Sequence, residues 1–297
     1  VGPDPEVSPR GERPEPPEPL PAPTVDAHTH LDACGCETAA DVAAAMDRAA
    51  AVGVTRAITV ADDLPSARWV VQAANWDARV AAAVALHPTR TADLTDADYA
   101  EIERLAADPR VVAVGETGLD YYWDYSPPER QQPAFRWHID LAKRLGKPLM
   151  IHDRDAHADV LRILREEGAP ETVVFHCFSG DAEMARECVD AGYVLSFAGP
   201  VTFKNAKPLQ EAARLVPEDQ LLVETDAPFL TPHPHRGRPN EPYCLPWTVR
   251  GLAALRGVDD ERLAASAGRN AERVFRLDEL PLSGHMITPG SSGTRSA

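Results

Sequence analysis

Residues 24–30 read TVDAHTH, a short β-branched and apolar run that ends in two histidines one residue apart. Side chains two positions apart on a strand share a side, so His28 and His30 can present both imidazoles to one cation. Seven further runs of this kind follow: RAITVAD from Arg56, VAAAVALH from Val80, VVAVGE from Val111, PLMIH from Pro148, TVVFH from Thr172, YVLSF from Tyr193 and LLVETD from Leu221. Longer stretches separate them, such as TAADVAAAMDRAAAVG, PAFRWHIDLAKRLG and HADVLRILREEG. These carry apolar residues at helical spacing and end at Gly53, Gly146 and Gly168, where helix C-caps belong. Strands alternating with amphipathic helices build a parallel sheet. Eight strands close a barrel, so the expected fold is α/β, a (β/α)8 TIM-type barrel. An open doubly wound sheet alternates in the same way, but the first run is not followed by a glycine-rich turn and there is no Walker lysine motif.

The 297 residues suit one such barrel. We place it at 24–279. The Pro/Glu-rich extension 1–23 (PEPPEPLPAP at its centre) is expected to be disordered and solvated in a polyproline conformation, and the tail 280–297 to be disordered as well. Net charge is −16, of which residues 1–23 contribute −3, so no broad basic surface is available to track long nucleic acid. Five cysteines, odd in number and without CxxC spacing, fit a reducing cytoplasm better than secretion, and Cys34 and Cys36 read as small loop residues. With no apolar run long enough for a membrane span and no recognisable signal peptide, a soluble protein is expected.

Metal-binding side chains sit at the ends of these runs: His28 and His30 on the first, Glu116 on the fourth, His152 on the fifth, His176 on the sixth and Asp226 on the eighth. In such barrels the C-terminal strand ends form the active face, so six residues spread over two hundred positions would converge on one mouth. Any one histidine is more often structural; six ligand-type residues at matching strand ends are not. Imidazole and carboxylate without thiolate suit zinc, manganese, iron or magnesium. Glu116, with two oxygens at the middle of the set, could bridge two cations.

The segments VDAHTHLD (from Val25), AVGETGLDYYWD (from Ala113), FRWHIDLAKRLGKPLMIHDRDA (from Phe135), VFHCFSG (from Val174), FAGPVTFKNA (from Phe197) and VETDAPFL (from Val223) together resemble the TatD family of metal-dependent deoxyribonucleases, in family order, from about residue 25 to 275. The resemblance implies an amidohydrolase-like barrel with two divalent cations, magnesium, manganese or zinc. One would lie on His28, His30, Glu116 and Asp226, the other on Glu116, His152 and His176. It also implies hydrolysis of DNA phosphodiesters, often from 3′ ends, so that DNA ends are the expected partner. Glu116 and Asp226 are the expected catalytic residues, Asp226 taking a proton from the attacking water. Two positions depart from the family pattern: His138 where a glutamine is usual, and Thr89 where a second histidine is common.

Candidate substrate contacts are His87 at the end of the third run, Tyr121, Arg154, Lys204, Glu224, and Arg238 in the loop TPHPHRGRPNEP with His233, His235 and Arg236. The residue pattern leaves alternatives open: Arg154 and Lys204 as solvated charges, Tyr121 as packing, Glu224 as a buried carboxylate that orients a histidine. Tyr121, Tyr122, Trp123 and Tyr125 either grip unpaired bases or plug the rim. His157 reads as a helix-face residue and His285 as part of the tail. Two rivals remain: an amidohydrolase-like enzyme acting on a small ester, lactone, amide or phosphoester, and a metal-binding barrel without catalysis. Resemblance favours the nuclease, because Glu116 stands where many amidohydrolases carry a carboxylated lysine. Ser179 lacks the nucleophile elbow of serine hydrolases.

Overall fold

The computed structural model describes residues 11–280; the expected tail segments 1–10 and 281–297, His285 among them, lie outside the described residues. Eight parallel strands pair in chain order: β1 Thr24–Thr29, β2 Val54–Val60, β3 Val80–Ala83, β4 Val111–Asp120, β5 Leu149–Arg154, β6 Val173–Phe175, β7 Val194–Phe197 and β8 Leu221–Val223. The ring closes just past β8, where Thr29 bridges Ala227, the His30 N–H donates to the Ala227 carbonyl (2.8 Å) and the Asp226 N–H to the His28 carbonyl (2.9 Å). Closure and three of the expected ligands therefore share one seam.

Helices α1 Ala39–Ala51, α2 Leu64–Trp76, α3 Asp96–Ala106, α4 Pro128–Leu145, α5 His157–Glu167, α6 Ala182–Asp190 and α7 Lys207–Leu215 fill the connections, and α8 Leu245–Arg256 and α9 Asp260–Phe275 follow β8. Three start on reciprocal caps, Thr38 with Asp41, Asp63 with Ser66 and Thr95 with Asp98, which satisfy backbone donors that a helix start leaves orphaned. Packing follows the period of two. On β5, Leu149 and Ile151 join the large cluster with helix residues such as Ile139 and Ile163. Met150 joins a second cluster with Val60, Ala83, Val174 and Leu222. No helix among the described residues is long and apolar enough to cross a membrane.

Some strand limits differ from the expected ones. β4 and β5 run on together to the pair Asp120 and Arg154, so Glu116 and His152 lie within strands. β3 ends at Ala83, although Val84 still exchanges bonds with β4 at the Ala113 carbonyl and the Gly115 N–H (both 3.2 Å); further on, the His87 N–H bonds the Asp62 carbonyl and His87 caps the short turn that Pro88 opens.

Residues 11–23 correct the expectation of a solvated extension. Pro14, Pro17 and Leu20 are buried while Glu15 and Glu18 stay exposed, a spacing of three that matches the turn of a polyproline II helix. The buried edge is anchored by Leu20 N–H to the Val52 carbonyl (3.0 Å), by the Tyr243 hydroxyl to the Pro14 carbonyl (2.7 Å) and by Arg250 to the Glu18 carbonyl (2.8 Å). Arg13 pairs with the buried Glu241 (2.8 Å), which Arg48 of α1 also holds (2.8 Å). Composition misled here because prolines limit the freedom of the unfolded chain, so little conformational entropy opposes docking, and burying Leu20 adds about 2 kcal/mol.

His138, the position where glutamine is usual, faces inward and is fully buried. Its Nε2 accepts the Leu86 N–H (3.2 Å) and its Nδ1 donates to the Ala134 carbonyl (2.7 Å). Burial pushes its pKa down to about 4. The folded pKa lies below the unfolded one, so the fold carries a protonation penalty that is absent above about pH 6.5 and complete below about pH 4, worth about 3 kcal/mol at most. A glutamine offers the same acceptor and donor without the charge. His138→Gln is therefore expected to lose less stability than the parent between pH 7 and pH 4.5 in denaturant unfolding; equal losses would show that His138 is not the titrating group.

Candidate metal centre

All six expected ligands meet at one point. His28 and His30 bring their Nε2 atoms within 3.2 Å of each other, and Glu116 Oε1 lies 3.4 Å from both. Asp226 Oδ1 completes this group at 3.6 Å from His28 and 3.5 Å from His30. The other oxygen of Glu116, Oε2, lies 2.8 Å from His176 Nε2 and 3.3 Å from His152 Nδ1, atoms themselves 3.4 Å apart. One carboxylate thus serves two clusters, one oxygen to each. Both clusters are buried and their donor atoms are close enough to hold a cation.

The far nitrogens of these rings are held as well, which sets the tautomers. His30 Nδ1 donates to the Val60 carbonyl (2.9 Å), His152 Nε2 to Asp120 Oδ2 (2.9 Å) and His176 Nδ1 to Glu224 Oε1 (3.2 Å). Each leaves the nitrogen that faces Glu116 as the one able to ligate. Carboxylate–histidine pairs of this kind orient the ring and raise its basicity as a ligand. The donor set, the burial and the outer hydrogen bonds all fit divalent cations.

Charge reinforces the arrangement. Burial alone would raise the Glu116 carboxyl, but the His176 and His28 imidazoles beside it hold it well below the ordinary range. Burial likewise opposes ionisation of Asp226, and the hydrogen bond from His30 overcomes it. Against its own burial, His176 is pushed up to about 10 by Glu116 and then Glu224. His28 goes the other way, lowered by burial and by His176, on which it stacks at 3.9 Å.

The family described as TatD related DNase matches residues 25–276. A protein of Mycobacterium tuberculosis named "Uncharacterized metal-dependent hydrolase TatD" is 63% identical over 258 residues, covering 85% of this chain and 98% of the relative. The chain belongs to the TatD family. It is a metal-dependent hydrolase. Among solved structures, the TatD homologue YjjV of Escherichia coli K12 superposes with a TM-score of 0.78 at 30% identity, over 85% of this chain and 98% of that one. An Erwinia billingiae relative named "3'-5' ssDNA/RNA exonuclease TatD" is 40% identical over 199 residues, 65% of this chain and 76% of its own.

The other expected site residues of this TatD-family chain divide. His87 reaches the centre: its Nε2 lies 3.8 Å from Glu116 Oε2 and has no hydrogen-bond partner, while its Nδ1 meets the Thr89 N–H (3.2 Å) and hydroxyl (2.6 Å). Burial, then the neighbouring His152, pushes its pKa down to about 3, so it is a neutral ring whose Nε2 carries the proton. Glu224 is fully buried beside the centre: its Oε1 accepts from His176 Nδ1 (3.2 Å) and from the Cys177 N–H (2.8 Å), and with His28 and His176 it forms a further group close enough to hold a cation. Tyr121 packs, its hydroxyl donating to Asp159 Oδ2 (2.7 Å) and accepting from Gln132 (2.8 Å). Arg154 lies over the Tyr122 ring at 3.7 Å. Lys204 and Arg238 are exposed. Beside Arg238, Arg236 stacks over Phe203 (4.5 Å) and His235 meets Trp247 (4.4 Å).

Two acids join the centre that the sequence reading did not single out. Asp120 holds His152, and Asp26 binds the Thr225 N–H (2.9 Å) and hydroxyl (2.5 Å) beside Asp226 across the closing seam. Burial raises Asp26 to about 8 despite those bonds. The signal was there: each is an acid within or ending an apolar strand run, where an isolated charge is costly.

Imidazolium protons compete with any cation for these nitrogens. His176 is pushed up to about 10 and so carries a proton at neutral pH, and His30 is raised, against its burial, by Asp62 and by the hydrogen bonds it donates to Asp226 and Glu116. Manganese or zinc binding is expected to release protons at pH 7, and apparent affinity to rise about tenfold per pH unit for each proton displaced, until pH nears 10. Calorimetry in buffers of different ionisation enthalpy reads the proton count; a count of zero would remove His176 from the ligand set.

Proposed function

We propose that this chain hydrolyses phosphodiester bonds of DNA, working from the 3′ ends of single-stranded or frayed strands, with two divalent cations (magnesium, manganese or zinc) as cofactors. The observation that carries this reading is the division of Glu116, Oε1 toward His28, His30 and Asp226 and Oε2 toward His152 and His176. Bound there, cations supply acidified water near neutral pH and neutralise charge on the phosphate oxygens. Glu116 bridges the two groups. Asp226, ionised beside His28 and His30, takes the proton of the attacking water. His87, neutral and with an unpartnered Nε2–H at the centre, donates to a phosphate oxygen. Arg154 lies two residues beyond His152 on β5 and attracts the neighbouring phosphate. The name of the Erwinia billingiae relative supports both the substrate class and the polarity.

The test incubates metal-stripped protein with 5′- and 3′-labelled single-stranded DNA plus each metal, with ester, lactone and amide panels alongside. Metal-dependent shortening from the 3′ end is expected. Cleavage confined to the small-molecule panels would transfer the centre to a different substrate class.

A further inference from the structure

The large apolar side chains exposed among the described residues are Tyr122 (54%) and Tyr125 (52%), and they sit in one loop after β4. Trp123 lies between them, edge-on to Tyr122 with centroids 4.9 Å apart and stacked with Tyr125 at 5.6 Å and 23°. The Arg154 guanidinium carbon lies 3.7 Å from the Tyr122 ring centre and 5.5 Å from that of Trp123. One contiguous surface thus combines three aromatic rings with a cation, on a chain whose net charge is −16.

This surface is tied to the metal centre through one carboxylate. Asp120 Oδ2 bonds His152 Nε2 at 2.9 Å, while its Oδ1 accepts the backbone N–H groups of Tyr122 and Trp123, both at 3.0 Å. Across the ladder Asp120 pairs with Arg154, which shares a side of β5 with His152. Ligand, loop and guanidinium are therefore held in one register, with Arg154 two residues, about 7 Å, along β5 from His152.

Size decides the occupant. Two half-exposed tyrosines offer about 200 Å² of ring surface, against about 800 Å² per partner in a stable protein interface. That area suits one or two bases. Trp123 and Tyr125 are already in contact, so a base adds to an outer face and does not enter between them.

We propose that Tyr122 and Tyr125, with Arg154 behind them, form a stacking platform for unpaired nucleobases next to the bond that is cut; this rests on the nuclease reading above. Stacking is tolerant of base identity, since every base has a π face, so the platform selects unpaired strands over duplex without choosing a sequence.

The test compares single strands bearing ordinary 3′-terminal nucleotides with the same strands made abasic there. KM is measured with manganese, and Kd by fluorescence anisotropy on strands whose terminal linkages are phosphorothioate. The parent is expected to prefer the base-bearing strand on the order of tenfold per stacked base. That ratio should collapse toward one in Tyr122→Ala/Tyr125→Ala and survive in Tyr122→Phe/Tyr125→Phe, which keep the rings. Cleavage by the parent without base preference, or a preference unchanged in the alanine variant, overturns the platform and leaves the nuclease reading standing. If the parent cuts neither strand, the nuclease reading fails, and the anisotropy ratio alone decides the platform by the same criteria. A shift in sedimentation mass on alanine substitution without loss of base preference assigns the face to contact between copies and overturns the proposal.

Discussion

Glu116→Gln is expected to lower metal-dependent turnover by about a thousandfold or more, while thermal unfolding of the barrel changes far less. Glutamine keeps the size of the side chain but not its charge, and it turns one of the two oxygens into an amide nitrogen. The parent side chain places Oε1 3.4 Å from both His28 and His30 and Oε2 2.8 Å from His176, so either amide orientation sets an NH2 group against imidazole nitrogens that need an acceptor or a cation. Removing one preorganised electrostatic contact from an active site typically costs about 10²–10³ in rate. Here the same change strikes two clusters at once. Bound metal, counted by atomic absorption after gel filtration, should fall in parallel with rate. Full metal content with parental turnover would remove Glu116 from the centre.

Gly118→Ala is expected to destroy cooperative folding, or to cost at least about 4 kcal/mol, a loss reserved for a short list of structural failures. Gly118 has φ of +140°, and a Cβ there would lie 2.0 Å from the carbonyl oxygen of His152, its partner in the β4–β5 ladder. Backbone cannot yield as a flexible side chain can, so any relief would displace His152 and with it the bond to Asp120. Gly146→Ala is the control: its φ of +62° lies in the left-handed well that alanine can enter at modest cost, and nothing lies within 4 Å. It should cost only about 1 kcal/mol. Comparable midpoints for the two variants in urea unfolding would show that the close approach at Gly118 is relieved cheaply.

Much of this was legible in the chain. The cluster of His28, His30, Glu116, His152, His176 and Asp226 was readable because each closes or interrupts an apolar run with a residue type that chelates. The barrel was readable because strand and helix periods are local. Asp120 was harder, since a carboxylate after a strand is ordinary until its partner is known. His138 was visible as a departure, yet only its paired bonds to Leu86 and Ala134 show that it serves packing.

By itself the sequence determined the alternation of eight strands with helices and the residue types of the candidate metal cluster, because both depend on residue type and short-range spacing. Only the tertiary structure decided which oxygen of Glu116 faces which histidines, that Glu224 is buried against His176, and that Tyr121 turns to Asp159 while Tyr122 and Tyr125 stay open. It also decided that the proline-rich residues from Pro14 to Leu20 dock. These outcomes depend on strand register and on contacts between positions 199 and 229 residues apart, such as Asp26 with Thr225 and Pro14 with Tyr243. No local preference specifies such a pairing; it forms when the barrel closes and each buried polar atom must find a partner.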